Sequence, residues 1–360
     1  MIPVTKSYIP DLDLYKSIVK RAFDNSWLTN RGELVQELEA KLTSFLNLKE
    51  TNLLCLNNGT APLQIALKVL GKEGEIITTP FSYVATTAAI VWENCTPVFV
   101  DIHEDCLTID DSKIEEAITD KTTCILATHV YGNPCNLEAI DKIAKKHNLK
   151  VIYDAAHCFG VDYKGKSIFE YGDVSTCSFH ATKIFHSGEG GALFCNNKDL
   201  YHKLFYSHNF GHKSSTEFHG LGINAKMSEL NAAMGLAILP KFNDILQGRK
   251  NVVEKYTSAL SNSNIKLINI RKDTKWNYSY YLVLFQDENT LLKVMNALEE
   301  ADIFSRRYFF PTLNNLPYIN DKKTYPVAEK IATQVLCLPL YYNLKEDDVM
   351  KICVIIKNNI

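Results

Sequence analysis

Residues 12 to 25 (LDLYKSIVKRAFDN) and 33 to 46 (ELVQELEAKLTSFL) carry apolar side chains at three- and four-residue steps, so two amphipathic helices open the chain. Between them, Ser26-Trp27-Leu28-Thr29-Asn30-Arg31-Gly32 reads as a polar helix–helix connection with an exposed aromatic. From residue 53 the pattern changes. Short continuous apolar runs at 53–56, 75–79, 97–102, 123–128, 151–155, 174–179 and 192–195 alternate with helical stretches at 85–93, 111–117 and 137–147. Strands that are apolar throughout belong to a largely parallel sheet covered on both faces, so the fold class is α/β. Further helices are expected at 200–207, at 226–239 and at 251–260, with Pro240 marking the passage to a second domain. That domain reads as α+β, with a strand at 279–285, a helix at 289–301 and an apolar segment at 352–356 closing the chain. The pattern predicts a large domain over 1–245, with its N-terminal helical segment, and a small one over 246–360.

Composition narrows the function classes. A chain of 360 residues with 22% charged residues and a net charge of -2 lacks the basic excess of a nucleic-acid or membrane-surface binder. No run approaches the ~18 uninterrupted apolar residues of a membrane span, and MIPVTKSYIPDLDLY has no signal-peptide pattern, so the expectation is a cytoplasmic protein. The ten cysteines form no CxxC, and most sit in apolar runs where a free thiol behaves as a small hydrophobe. His208 and His212 are four apart but no acid or cysteine completes a ligand set, so no metal is expected.

Four features carry candidate chemistry. Asn57-Asn58-Gly59-Thr60 ends a strand and opens a helix, where unpaired backbone N–H groups and the helix dipole suit a phosphate; a plain cap by Asn58 or Thr60 fits the same residues. Pro80-Phe81-Ser82-Tyr83 follows another strand and sets aromatic rings at its end, either as core or as a stacking surface. Asp154 ends the 151–155 strand, a costly place for a carboxylate unless it is paired or richly hydrogen-bonded. Lys183 follows Ser178-Phe179-His180 and precedes the glycines of Gly188 to Gly191, to which we assign the turn and no direct chemistry. Ligands of such sheets gather at the carboxyl ends of the strands, so all four features are predicted to meet. Together they describe a pyridoxal phosphate site, with Lys183 holding the cofactor as a Schiff base and Asp154 keeping its ring nitrogen protonated.

The same chain resembles the DegT/DnrJ/EryC1/StrS sugar aminotransferases, which have the fold-type-I aspartate aminotransferase architecture. The resemblance rests on SWLTNRGELVQELE, NNGTAPLQIAL, PFSYVATTAAI, PVFVDI, HVYGNP, YDAAHCFG, SFHATKIFHSGEGGAL and GLGINAKMSELNAAMG, in that order. The chain departs from the family's usual pattern at Asn58, where serine is common, and at Lys226, where arginine is common. The resemblance implies that Lys183 and Asp154 are catalytic, that Tyr83 stacks on the ring, that His157 lies near its hydroxyl, and that Gly59, Thr60 and Ser178 bind the phosphate. It further implies a homodimer in which Asn224 reaches the neighbouring subunit's cofactor and the long loop 208–224 closes over the partner's substrate. Substrate contacts are expected from Trp27, Leu28 and Thr29, from the 208–213 segment including Lys213, and from Arg306, Arg307 and Tyr308. The implied reaction is a two-stage transamination in which glutamate gives its amine and a nucleotide-linked keto sugar takes it. Ala181, where the C3 branch usually has proline, points to C4 of a dTDP-4-keto-6-deoxy sugar and a viosamine-type product for O-antigen or a related glycan; C3 amination is the alternative. The presence of Lys183 argues against the related dehydratases, which have histidine there, and an intact set argues against a non-catalytic regulator. The absence of GxGxxG after the first strand argues against a nicotinamide dehydrogenase.

Overall fold

The computed structural model describes residues 1–263 and 265–360. Two helices, α1 (Leu12–Asp24) and α2 (Glu33–Phe45), precede β1 (Asn52–Leu56), α3 (Ala61–Leu70), β2 (Glu75–Thr78), α4 (Val84–Trp92), β3 (Thr96–Phe99), β4 (Thr122–Thr128), α5 (Leu137–His147) and β5 (Lys150–Asp154). The short strands β6 (Asp162–Tyr163) and β7 (Lys166–Ser167) are followed by β8 (Val174–Ser178), β9 (Gly191–Cys195), α6 (Lys198–Ser207), α7 (Glu229–Ile238) and α8 (Phe242–Leu260). The chain ends with β10 (Thr274–Lys275), β11 (Tyr281–Leu284), α9 (Glu288–Glu300), α10 (Pro326–Gln334), β12 (Val335–Leu338) and α11 (Glu346–Lys357).

The central sheet has seven strands in the order β1-β9-β8-β5-β4-β2-β3. Only β9 runs against its neighbours; β8, β5, β4, β2 and β3 are parallel. Each interior strand feeds two cores in alternation, as a period of two requires. In β4, Cys124 and Leu126 face the core under α3, α4 and α6, while Ile125 and Ala127 face the one beneath α2 and α7. This is why the strands are apolar throughout. Their carboxyl ends share one edge, and register sets Thr128 beside Asp154 and Ser178 beside Gly191.

The C-terminal part packs its own core from α8, α9, α11, β11 and β12. A further cluster joins the two parts, with Phe81, Val130 and Tyr131 on one side and Leu282, Leu284 and Phe309 on the other. Helix α8 is a shared strut: Phe242 and Ile245 sit in the first core, and Val252, Tyr256 and Leu260 in the C-terminal one. The extreme N-terminus crosses over, with Ile2 bridged to Ile303 and Val4 accepting from the Leu340 N–H at 3.0 Å. A small sheet, β10-β6-β7, adds another tie.

Several elements differ from expectation for local reasons. Residues 111–117 form two short 3₁₀ turns, the first capped at its start by Asp110, which accepts from the Ser112 N–H and hydroxyl. The helix expected from 226 starts at Glu229; Lys226 is bridged to Leu56, and Ser228 caps the helix by accepting from the Asn231 N–H. The helix expected from 251 starts at Phe242, with Pro240 in the turn before it rather than at a break. The 352–356 segment lies in α11. The loop expected over 208–224 is a bridged arm, pairing Asn209 with Asn224 and His212 with Phe218. All ten cysteines are free and nine are buried. Among the described residues no group of side chains could hold a metal ion, and no helix is long and apolar enough to cross a membrane.

Candidate active site

The shared strand edge opens into a cavity of about 240 Å³, roofed by the C-terminal part. Its wall includes Gly59, Thr60, Tyr83, Asp154, His157, Ser178 and Lys183, so seven of the residues expected to hold the cofactor or do the chemistry meet in one place.

Asp154 is buried at the end of β5. Its Oδ2 accepts from the Thr86 hydroxyl at 2.7 Å and its Oδ1 from the Ala156 N–H at 3.2 Å. No cationic side chain pairs with it among the described residues, and burial raises its pKa against the pull of Thr86, Ala156 and Lys183. An uncompensated buried carboxylate on a cavity wall is a place for a cationic ligand group. Lys183 sits in the turn after β8, its N–H bonded to the His180 carbonyl at 2.8 Å and its Nζ 3.4 Å from the Tyr280 hydroxyl. Burial lowers its pKa, opposed by Tyr308 and Asp154. The amine therefore loses its proton more readily than a solvated lysine.

His157 has its Nδ1 engaged, accepting from the Tyr131 N–H at 3.1 Å. Its one ring proton is then on Nε2, and burial together with the Lys183 charge holds its pKa well below the ordinary histidine value. It is a fixed neutral donor. Its ring lies 4.8 Å from Tyr280 and 6.1 Å from Phe309, within an aromatic group that includes Tyr131 and Tyr308.

At the other end, a Cβ on Gly59 would stand 2.7 Å from the Ser178 Cβ, so the turn and the end of β8 approach as only glycine allows. The Ser178 Oγ accepts from the His180 N–H at 3.4 Å, leaving its own proton unused among the described residues. Asn58 Oδ1 accepts from both the Thr60 and the Ala61 N–H at 2.8 Å, so the cap that the sequence offered as the plainer reading is made. A phosphate taking those two amides has to replace Asn58 as their acceptor. These residues fit pyridoxal phosphate: a hydroxyl-lined turn for the phosphate, a carboxylate for the ring nitrogen, and an amine between them.

Other expected residues lie elsewhere. Arg307 turns away, its guanidinium 2.7 Å from Glu288 and packed over Phe310. Arg306 and Tyr308 line the cavity, with the Arg306 guanidinium 4.4 Å from the Tyr308 ring centre. Trp27, Leu28, Thr29 and Lys213 are exposed and outside the cavity, Lys213 pairing with Glu217 at 3.5 Å. Asn224 is also exposed, accepting from Lys226 Nζ at 2.6 Å. Glu189, assigned no chemistry above, is on the cavity wall with a carboxylate oxygen 3.5 Å from His180 Nε2. Sequence reading missed Thr86 and Tyr280. Thr86 lies inside a helix pattern with nothing to mark it, and Tyr280 reaches the site only through the docking of the C-terminal part. Ser82 and Thr128 carried a usable signal, since both follow or end strands at the same edge.

The sheet topology, with a buried carboxylate and a buried lysine on one cavity wall at its edge, is that of a fold-type-I pyridoxal-phosphate-dependent aminotransferase. A model of the DegT/DnrJ/EryC1/StrS aminotransferase family matches residues 14–357, and the chain belongs to this family. It is 41% identical over 350 residues to a dTDP-4-amino-4,6-dideoxy-D-glucose transaminase of Shigella dysenteriae, covering 96% of this chain and 95% of that protein. It is 32% identical over 343 residues to a GDP-perosamine synthase of Escherichia coli O157:H7, covering 94% and 93%. Among solved structures, DesI in the presence of its TDP-sugar product superposes with a TM-score of 0.93 at 30% identity, covering 99% of this chain and 92% of that one.

Proposed function

We propose that this chain transfers the amine of glutamate to C4 of dTDP-4-keto-6-deoxy-D-glucose, forming dTDP-4-amino-4,6-dideoxy-D-glucose for O-antigen or a related glycan. The observation that carries the reading is the 41% identity, over nearly the whole of both chains, to a transaminase named for that product. The chain works as a cytoplasmic homodimer, with residues 1–245 holding the cofactor and 246–360 covering it.

Bound pyridoxal phosphate would supply the electron sink that lets the amine-bearing carbon lose its proton. Lys183 Nζ takes that proton, and its burial keeps enough of the free amine for the task. Asp154 holds the positive charge of the ring nitrogen, and Thr86 and the Ala156 N–H hold Asp154. His157 would donate from Nε2 to the bound cofactor, Tyr83 would pack against it, and Gly59, Thr60 and Ser178 would hold its phosphate. Tyr308 and Arg306 face the substrates, and Arg306 supplies the positive charge for their anionic groups. Trp27, Leu28, Thr29, Lys213 and Asn224, all exposed in one subunit, serve the partner's site across the dimer.

The test has two stages. Glutamate added to the yellow protein should bleach the visible band in a single turnover, and dTDP-4-keto-6-deoxy-D-glucose should restore it. NMR of the sugar product should place the nitrogen at C4; nitrogen at C3, or no recovery of the band, would refute the proposal.

A further inference from the structure

Asp154 is the first member of a buried line of side-chain oxygens. The Thr86 Oγ1 is 2.7 Å from Asp154 Oδ2, the Ser82 Oγ is 2.8 Å from Thr86 Oγ1, and the Thr128 Oγ1 is 3.0 Å from Ser82 Oγ. Thr86, Ser82 and Thr128 are all buried. Among the described residues Ser82 is the sole hydrogen-bond partner of the Thr128 hydroxyl.

Each hydroxyl has one proton, which fixes the order of donation. An ionised Asp154 only accepts, so Thr86 gives its proton to Oδ2 and must itself accept from Ser82. Ser82 has then used its proton and must accept from Thr128. The line runs one way, from Thr128 through Ser82 and Thr86 to the carboxylate. The reversed line starts from a protonated Asp154 and ends with the Thr128 proton pointing at no protein acceptor, an unfavourable position for a buried donor. With Asp154 ionised, every donor of the line is satisfied.

We infer that Ser82 and Thr128 are positioning residues for the cofactor's ring nitrogen, acting through Thr86 to keep Asp154 ionised. Burial alone favours the neutral acid, which could not hold a pyridinium; the hydroxyl line opposes burial without placing a second cation in the cavity. Ser82 also has a local task. A threonine hydroxyl can turn back to a carbonyl three or four residues earlier, and donation from Ser82 holds Thr86 toward Asp154 instead.

The test is a pH titration of the visible band of the cofactor-loaded protein, with no sugar present, so its outcome is independent of the sugar proposed above. Protonation of the ring nitrogen lowers the midpoint of that titration, so weakening Asp154 raises it. T86V should raise the midpoint by about one pH unit, the order expected for one hydrogen bond to a charged group, and T86S should restore it. S82A should raise it by about 0.3 unit and T128V by less, as polarisation passed along a line falls off with each bond. The double variant S82A/T128V should match S82A, because Thr128 reaches Asp154 only through Ser82. Independent packing effects would add instead. A double variant equal to the sum of the two, or an unchanged midpoint in S82A, overturns the inference, and these variants remain informative if T86V does not fold.

Discussion

Lys183 Nζ lies 3.4 Å from the hydroxyl of Tyr280, which the C-terminal part brings down onto the strand edge of the large one. Burial raises the Tyr280 pKa, so the phenol stays neutral and accepts from the amine without pairing with it as an ion. Lys183→Ala should therefore abolish both the visible cofactor band and turnover, whereas Tyr280→Phe should keep the band and slow the glutamate half-reaction by about tenfold through looser orientation of the amine. Absorbance and stopped-flow measurements on the two variants separate these effects. A K183A protein that kept its band would remove Lys183 from the reaction.

A methyl group at Gly59 would meet the Ser178 Cβ at 2.7 Å and its backbone Cα at 3.1 Å. Neither atom is the end of a flexible side chain, so β8 or the opening of α3 must move. Gly59→Ala should cost about 1–3 kcal/mol, felt mainly as a loss of cofactor affinity at the phosphate end. Fluorescence titration of the apoprotein with pyridoxal phosphate measures it, and wild-type affinity would contradict the close approach.

Arg249 is buried with no carboxylate paired to it among the described residues, and its guanidinium donates to the carbonyls of Tyr278, Ser279 and Leu340. Burial pulls its pKa down to about 10. Its task is to hold the backbone that carries Tyr280. Arg249→Met fills the space but leaves three carbonyls unpaired, and should destabilise the protein by about 3 kcal/mol in urea unfolding. An unfolding midpoint close to wild type would mean that those carbonyls find other donors.

Acid should weaken the fold before the carboxylates titrate. Burial lowers the pKa of His129 to about 3 and of His208 to about 4, and those of His157 and His186 lie below the ordinary value too. The unfolded chain protonates these rings near pH 6.5 and the folded chain does not. The contribution of His129 and His208 is thus whole above pH 6.5 and lost as pH falls toward 4, by about 1.4 kcal/mol per unit for each of these two rings, and His157 and His186 act in the same sense. Asp154, Glu39 and Glu93, whose pKa values burial raises, and His103, raised by its bond to Asp111, act in the opposite sense and make the fall shallower. Urea midpoints should fall steadily from pH 7 to pH 5, and a flat profile would contradict this account.

The apolar periodicity by itself determined the two opening helices, all seven strands of the central sheet, and through them the rule that ligands meet at the strand ends. That was enough to bring Gly59, Tyr83, Asp154, Ser178 and Lys183 into one cavity, because each lies just at or beyond the end of a strand whose direction is set by its crossover. Tertiary structure decided what strand order and docking control. It set Arg306 rather than Arg307 on the wall, since the choice depends on how residues 306–308 lie against β12, and it carried Tyr280 to Lys183 from about a hundred residues away. It also turned Thr86, Ser82 and Thr128 toward one carboxylate. Hydroxyl side chains leave no periodic trace in a sequence, and their partners are fixed only when separate strands and a helix end converge.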